Sequence, residues 1–161
     1  MHMITPSSFF TRPANTTAYT IADLVADTVT AGSVAPLKFS VMGVGRSGLI
    51  RRARIHKGAS SATNASFSLH LFDELPTVAG GDNAALSVSA NTASYLGSIA
   101  LDMTSGGIVD AAAGLAQISA AAAIGFSKPA SGSIVYGLLE ALAAYTPASA
   151  EIFTVTLEIE G

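Results

Sequence analysis

From Ile152 to Glu160 apolar and polar residues alternate almost without a break: Phe153, Val155, Leu157 and Ile159 interleave with Thr154, Thr156, Glu158 and Glu160. A period of two describes a strand with one face in a core and one in water, and a helix cannot sort these residues that way. The same alternation returns where Phe67, Leu69 and Leu71 interleave with Ser66, Ser68 and His70. Residues 49–57 and 95–103 are also strand-like, and 37–42 is a shorter candidate. Residues 133–143, with Ile134, Val135, Tyr136, Leu138 and Leu139, predict a strand apolar on both faces. The connection at 144–150 carries a Pro and a Ser suited to a turn, so two neighbouring strands are expected to close the chain.

Stretches rich in Gly, Ser, Ala and Asn, such as 57–64 and 78–83, separate these segments as turns do. Many short strands without alternating helices indicate an all-β, antiparallel sandwich or barrel. At 161 residues the chain has the size of one domain, expected to span 19–161. Two regions leave alternatives open. Residues 20–27 read as a short helix or an irregular strand. The Ala-rich 111–125 reads as a buried loop or strand, with a helix as the alternative, since its glycines oppose its helix propensity. Residues 1–18 form an extended N-terminal arm, because Pro6 and Pro13 disfavour a helix and a central strand alike. Phe9, Phe10 and Arg12 are its candidate anchors. The arm either folds back over its own core or docks on a neighbouring subunit.

Only 12% of the residues are charged, against roughly 25% in an ordinary soluble domain. Small, weakly polar residues take their place, and such surfaces pack against protein without a large desolvation penalty. The composition points to life in an assembly. A net charge of −3 is too small to argue for nucleic acid or an anionic membrane, and neither is expected as a partner. Without cysteine there is no disulfide framework, thiolate nucleophile or cysteine-ligated zinc. Residues 1–11 hold no apolar run of signal-peptide length, and apolar stretches elsewhere end well short of the roughly 20 residues of a membrane span. The expectation is synthesis in a cytoplasm, without secretion.

Five of the eight Lys and Arg residues, Arg46, Arg51, Arg52, Arg54 and Lys57, fall within twelve positions. On a strand, Arg52, Arg54 and His56 share one face, while Arg51 and Lys57 flank Ala53 and Ile55 on the other. Such a row reads as a solvated face neutralised by acidic neighbours or as a docking face for an acidic protein surface. Nucleic acid is a weaker reading, because no aromatic residues interleave with the charges. Gly43-Val-Gly-Arg-Ser-Gly48 matches a dinucleotide-binding pattern. It lacks room for the crossover helix, and no acidic residue stands about 20 positions on. His2, His56 and His70 have no acidic residues at metal-ligand spacing. No G-x-S-x-G or H-E-x-x-H occurs, so neither an enzyme nor a cofactor or metal site is expected.

Several stretches resemble small virion proteins of tailed bacteriophages. They are Ile4-Thr-Pro-Ser-Ser-Phe9, Thr11-Arg-Pro-Ala-Asn-Thr-Thr-Ala-Tyr19, Asp23-Leu-Val-Ala26, Ile50-Arg-Arg-Ala-Arg-Ile-His-Lys57 and Leu69-His-Leu-Phe72. Tyr136-Gly-Leu-Leu-Glu-Ala-Leu-Ala-Ala-Tyr-Thr-Pro147 and Phe153-Thr-Val-Thr-Leu157 extend the likeness. It implies a capsid decoration (cement) protein of jelly-roll-like fold, on the outside of the expanded head. It would bind the major capsid protein and associate with itself, as a homodimer or homotrimer at symmetry axes. The resemblance brings no catalytic residues. A neck or tail component is the alternative within this class. A carbohydrate- or receptor-binding β-sandwich module is the alternative outside it, disfavoured by the absence of Trp.

Overall fold

The computed structural model describes residues 2–44, 47–58, 65–104, 108–110, 114–118, 122–127 and 132–161, and the strands among them pair antiparallel throughout. The alternating C-terminal segment is a strand, β14 (Ile152–Glu160), and it lies against β5 (Ser47–Lys57). On its other side run β1 (Met3–Ile4) and β2 (Ser7–Thr11) from the N-terminus. Beyond β5 this first sheet continues through β11 (Gly114–Ile118) to β10 (Ile108–Asp110), and β12 (Ile124–Ser127) pairs with the start of β5. The second sheet is centred on β13 (Ile134–Ala141). Along one side of it lie β3 (Leu24–Val25) and β4 (Leu37–Ser40), and along the other β6 (Ser66–Phe72), then β9 (Tyr95–Asp102). A small separate ladder joins β7 (Thr77–Val78) to β8 (Val88–Ala90).

The inner faces of the two sheets meet in one apolar core. Ala53, Ile55, Val155, Leu157 and Ile159 come from the first sheet, and Phe39, Leu69, Leu101, Val135 and Leu139 from the second. The molecule is therefore an all-β sandwich. An aromatic chain threads the core: Phe10 stacks on Phe153 at 5.5 Å, and Phe67 stands edge-on to both Phe153 and Tyr145. Gly137 sits where these layers are tightest. A Cβ there would lie 3.0 Å from Phe39 and 3.1 Å from Leu69, so the strand carries no side chain at that point.

The principal strands, in chain order, are β2, β4, β5, β6, β9, β11 with β12, β13 and β14. In those terms the first sheet is ordered first, eighth, third, sixth, and the second sheet second, seventh, fourth, fifth.

One sequence expectation changes and one open alternative is decided. The last two strands are not neighbours, because β13 pairs with β3, β4 and β6 while β14 pairs with β1, β2 and β5. The reason is β13's second apolar face. Leu138 packs outward with Leu24, Phe72 and Val78 in a smaller cluster that Val34, Leu86 and Val88 close. A strand buried on both faces belongs in the middle of a covered sheet, whereas β14 has one polar face and suits a bare one. The connection between them crosses from sheet to sheet, pinned where Tyr145 bridges Tyr19. For residues 20–27 the structure takes the irregular strand over the short helix: Ile21 and Ala22 form a turn, with Ala22 at φ 72°, after which Asp23 bridges Ala85 and β3 follows. Within 111–125, residues 114–118 and the start of β12 are strand, while 111–113 and 119–121 lie outside the described residues.

Candidate partner-binding face

β5 carries two kinds of charge. On its outer side Arg52 and Arg54 are exposed and His56 is half-buried, while Ala53, Ile55 and Lys57 point inward. Arg51 departs from simple alternation. Glu158 lies opposite Arg52 and Ile159 opposite Ile50, so Arg51 is an extra residue, a β-bulge. The bulge lets Ile50 take the core position and turns Arg51 to the outer side, where its Nε donates to Glu160 at 2.6 Å. Arg54 pairs more loosely with Glu158, at 3.9 Å. The polar residues that marked β14 as half-buried thus neutralise part of the basic row. Three arginines against two glutamates leave one positive charge on the outer side of these strands, and among the described residues Arg52 has no ion pair. Arg46 lies outside the described residues.

Towards the free edge the same face becomes apolar. Phe9, opposite Thr154, is 68% exposed, and Ile152, opposite Thr11, is 43% exposed. Phe9 and Phe10 therefore separate by parity: Phe10 enters the aromatic core and Phe9 stands outside. The outer surface of β2, β14 and β5 is a mixed face, with an apolar corner, a threonine band and a ladder of paired charges.

The other two cations singled out in the sequence lie inside. Lys57 is fully buried, donates to the Tyr145 hydroxyl at 3.0 Å and faces Glu151 at 3.8 Å. Its ammonium lies 4.2 Å from the centre of the Tyr145 ring. Tyr145 in turn donates to the second oxygen of Glu151. Burial holds the Lys57 ammonium down to about 8, and the Glu151 carboxylate partly opposes that shift. The remaining Glu151 oxygen, Oε1, is buried without a hydrogen bond. Arg12 forms the second half of this cluster. It pairs with Asp82 at 2.9 Å with both side chains fully buried, and its Nε donates to Tyr19. Tyr19 and the Ala26 amide donate to the other Asp82 oxygen, at 2.6 and 2.9 Å. Tyr19 and Tyr145 stack face to face at 6.0 Å, joining the halves. Burial first, then the Asp82 and Glu151 carboxylates, push both phenols up. Arg12 and Lys57 therefore have no charge to offer a partner; they tie the N-terminal segment and the end of β5 to distant loops.

The sequence did carry a signal for Lys57, whose parity matches Ala53 and Ile55. Its partner Glu151 and the Asp82 of Arg12 are far away in the chain, and nothing local marks them.

Of the glycine motif, Gly43 and Val44 lie in a 3-10 turn at Met42–Val44, and Ser47 and Gly48 open β5, so a strand follows where a dinucleotide site has a helix to hold the phosphate; Gly45 lies outside the described residues, as does Arg46. His56 and His70 lie on outer faces of opposite sheets; His70 meets Glu140 and, at 3.1 Å, the Tyr95 hydroxyl. Among the described residues no group of three or more His, Asp or Glu is placed to hold a metal ion. None of the helices described is long and apolar enough to cross a membrane. Set beside known proteins, the chain matches no family model and no curated sequence.

Proposed function

We propose that this protein is a capsid decoration protein of a tailed bacteriophage, a non-catalytic module that docks on the outside of the expanded head and reinforces it. One observation carries the docking part of this reading: the uncapped outer face of β14 and β5, where a charge ladder with a positive surplus adjoins exposed Phe9 and Ile152. The opposite sheet is partly covered on its outside by the loops that bury Leu138 and Phe72, and so has less flat surface to offer. Interfaces of this type combine an apolar anchor with charges that set register and steer encounter. A major capsid protein with an acidic outer surface is the partner such a face fits.

The strand order supports assigning the winding as a jelly roll, in which one sheet takes strands one, eight, three and six and the other two, seven, four and five. That architecture occurs in capsid proteins, but also in lectins and cupins, so the fold leaves function open. What ties this module to a phage head is the resemblance of its sequence to small virion proteins. Repeated weak contacts over a symmetric shell would add up through avidity.

The test is co-sedimentation of the purified chain with tailless, expanded heads stripped of it, quantified as copies per shell. Saturable binding at hundreds of copies is expected. A few copies at one vertex would move the protein to the neck, and absence of binding to intact expanded heads would overturn the decoration reading.

A further inference from the structure

We infer that two copies of this chain associate through β2, edge to edge about a two-fold axis, making one sheet continuous across the dimer. This stands on the geometry of β2 and does not depend on the capsid reading.

The hydrogen-bond phase of β2 against β14 fixes which of its backbone groups are spent. Arg12 N–H donates to the Glu151 carbonyl at 2.9 Å, and Leu157 N–H to the Pro6 carbonyl at 3.0 Å. In an antiparallel pair, residues that exchange hydrogen bonds recur at every second position. Ser8, opposite Val155, and Phe10, opposite Phe153, therefore face β14. The amides and carbonyls of Ser7, Phe9 and Thr11 point the other way, and all three residues are exposed. An uncovered row of donors and acceptors is a template for a further strand, which proteins usually block with charge, Pro or a bulge. β2 reads Ser-Ser-Phe-Phe-Thr and has none of these within it; Pro6 and Pro13 stand just outside.

The row is self-complementary, and this selects a second copy as the occupant. Centred on Phe9, an antiparallel pairing sets Ser7 against Thr11 of the partner subunit and Phe9 against Phe9 of the partner subunit. Each of these is a pair whose free groups point at the other, so every outward amide finds an outward carbonyl. The symmetry is the isologous two-fold of most homodimers. It also sets the two exposed Phe9 rings side by side on the outer face, where cross-strand aromatic pairs are favourable. No charges face each other in the join, since β2 holds no ionisable side chain.

Sedimentation equilibrium over a concentration series, combined with residue-resolved amide hydrogen exchange, tests this. The expected result is a concentration-dependent dimer in which the Ser7, Phe9 and Thr11 amides become protected as it forms. Phe9→Lys sets two like charges face to face at the axis and should weaken dimerisation by about 30-fold or more. Phe9 is exposed, so the variant's melting as a monomer should match the parent's. A chain that stays monomeric at millimolar concentration overturns the inference. So does a dimer that leaves these amides unprotected, or one indifferent to Phe9→Lys.

Discussion

Two ion-pair systems that meet on β5, within the seven residues from Arg51 to Lys57, behave as opposites. Midway along β5, Arg51 and Arg54 meet Glu160 and Glu158 in water, with the arginines 42% and 46% exposed. At its C-terminal end, Lys57 meets Glu151 with both side chains fully buried, and Arg12 meets Asp82 nearby in the same way. Screened pairs contribute roughly 0–1 kcal/mol, because water already satisfies the charges and holding long side chains opposes the gain. Buried charges are different: neither partner can be removed without stranding the other in a medium that cannot solvate it. The residue types match and the consequences do not. One set of charges is free to meet a partner, and the other closes the fold.

The largest effect should come from breaking the buried set. Arg12→Leu leaves the Asp82 carboxylate with its Tyr19 and Ala26 donors but no counter-charge, and chemical denaturation should register a loss of about 3–5 kcal/mol. Lys57→Met should lose about 3 kcal/mol by the same logic, since Glu151 already has one oxygen without a hydrogen bond. Adding Glu151→Leu should recover a large part of that loss, because an apolar pair does not need solvating. A double variant no more stable than Lys57→Met alone would show that the cation's packing on Tyr145, rather than its charge, holds the site.

A pH series sharpens the contrast further. The Lys57 ammonium titrates at about 8 in the folded protein and near 10.4 in an unfolded chain. Between those values the unfolded state binds the extra proton, so this residue's contribution to stability rises with pH and is constant below the window. The stability of the parent relative to Lys57→Met should therefore improve by up to about 2 kcal/mol from pH 7.5 to 10. A flat difference would mean that Lys57 keeps its proton in the fold. The smallest effect belongs to the ladder. Arg54→Ala should change stability by no more than about 0.5 kcal/mol, and by less in high salt.

The same contrast explains what could be read in advance. Alternation exposes which residues of a strand share a face, so β14, β6 and β5 were legible as strands, and the outward trio Arg52, Arg54 and His56 with them. The alternation also set Lys57 beside Ala53 and Ile55, but not the partner that makes its burial tolerable. Glu151 reaches the cluster through the crossing between sheets and Asp82 through the loop between β7 and β8, tertiary placements with no local trace. Arg51 was misplaced for a smaller reason, since a bulge shifts parity by one and composition does not announce it. The pairing of β13 with β6 rather than β14 likewise depends on what covers its outer face, which distant loops supply.

If the outer ladder is the docking face, binding and stability must separate. The most direct measurement is head binding by the Arg52→Glu, Arg54→Glu double variant, followed in parallel with its melting temperature. The variant should fold and melt close to the parent while its copies per expanded head fall to a small fraction. Full occupancy of the heads by a folded double variant would contradict this, and would remove the β14–β5 face from the interface.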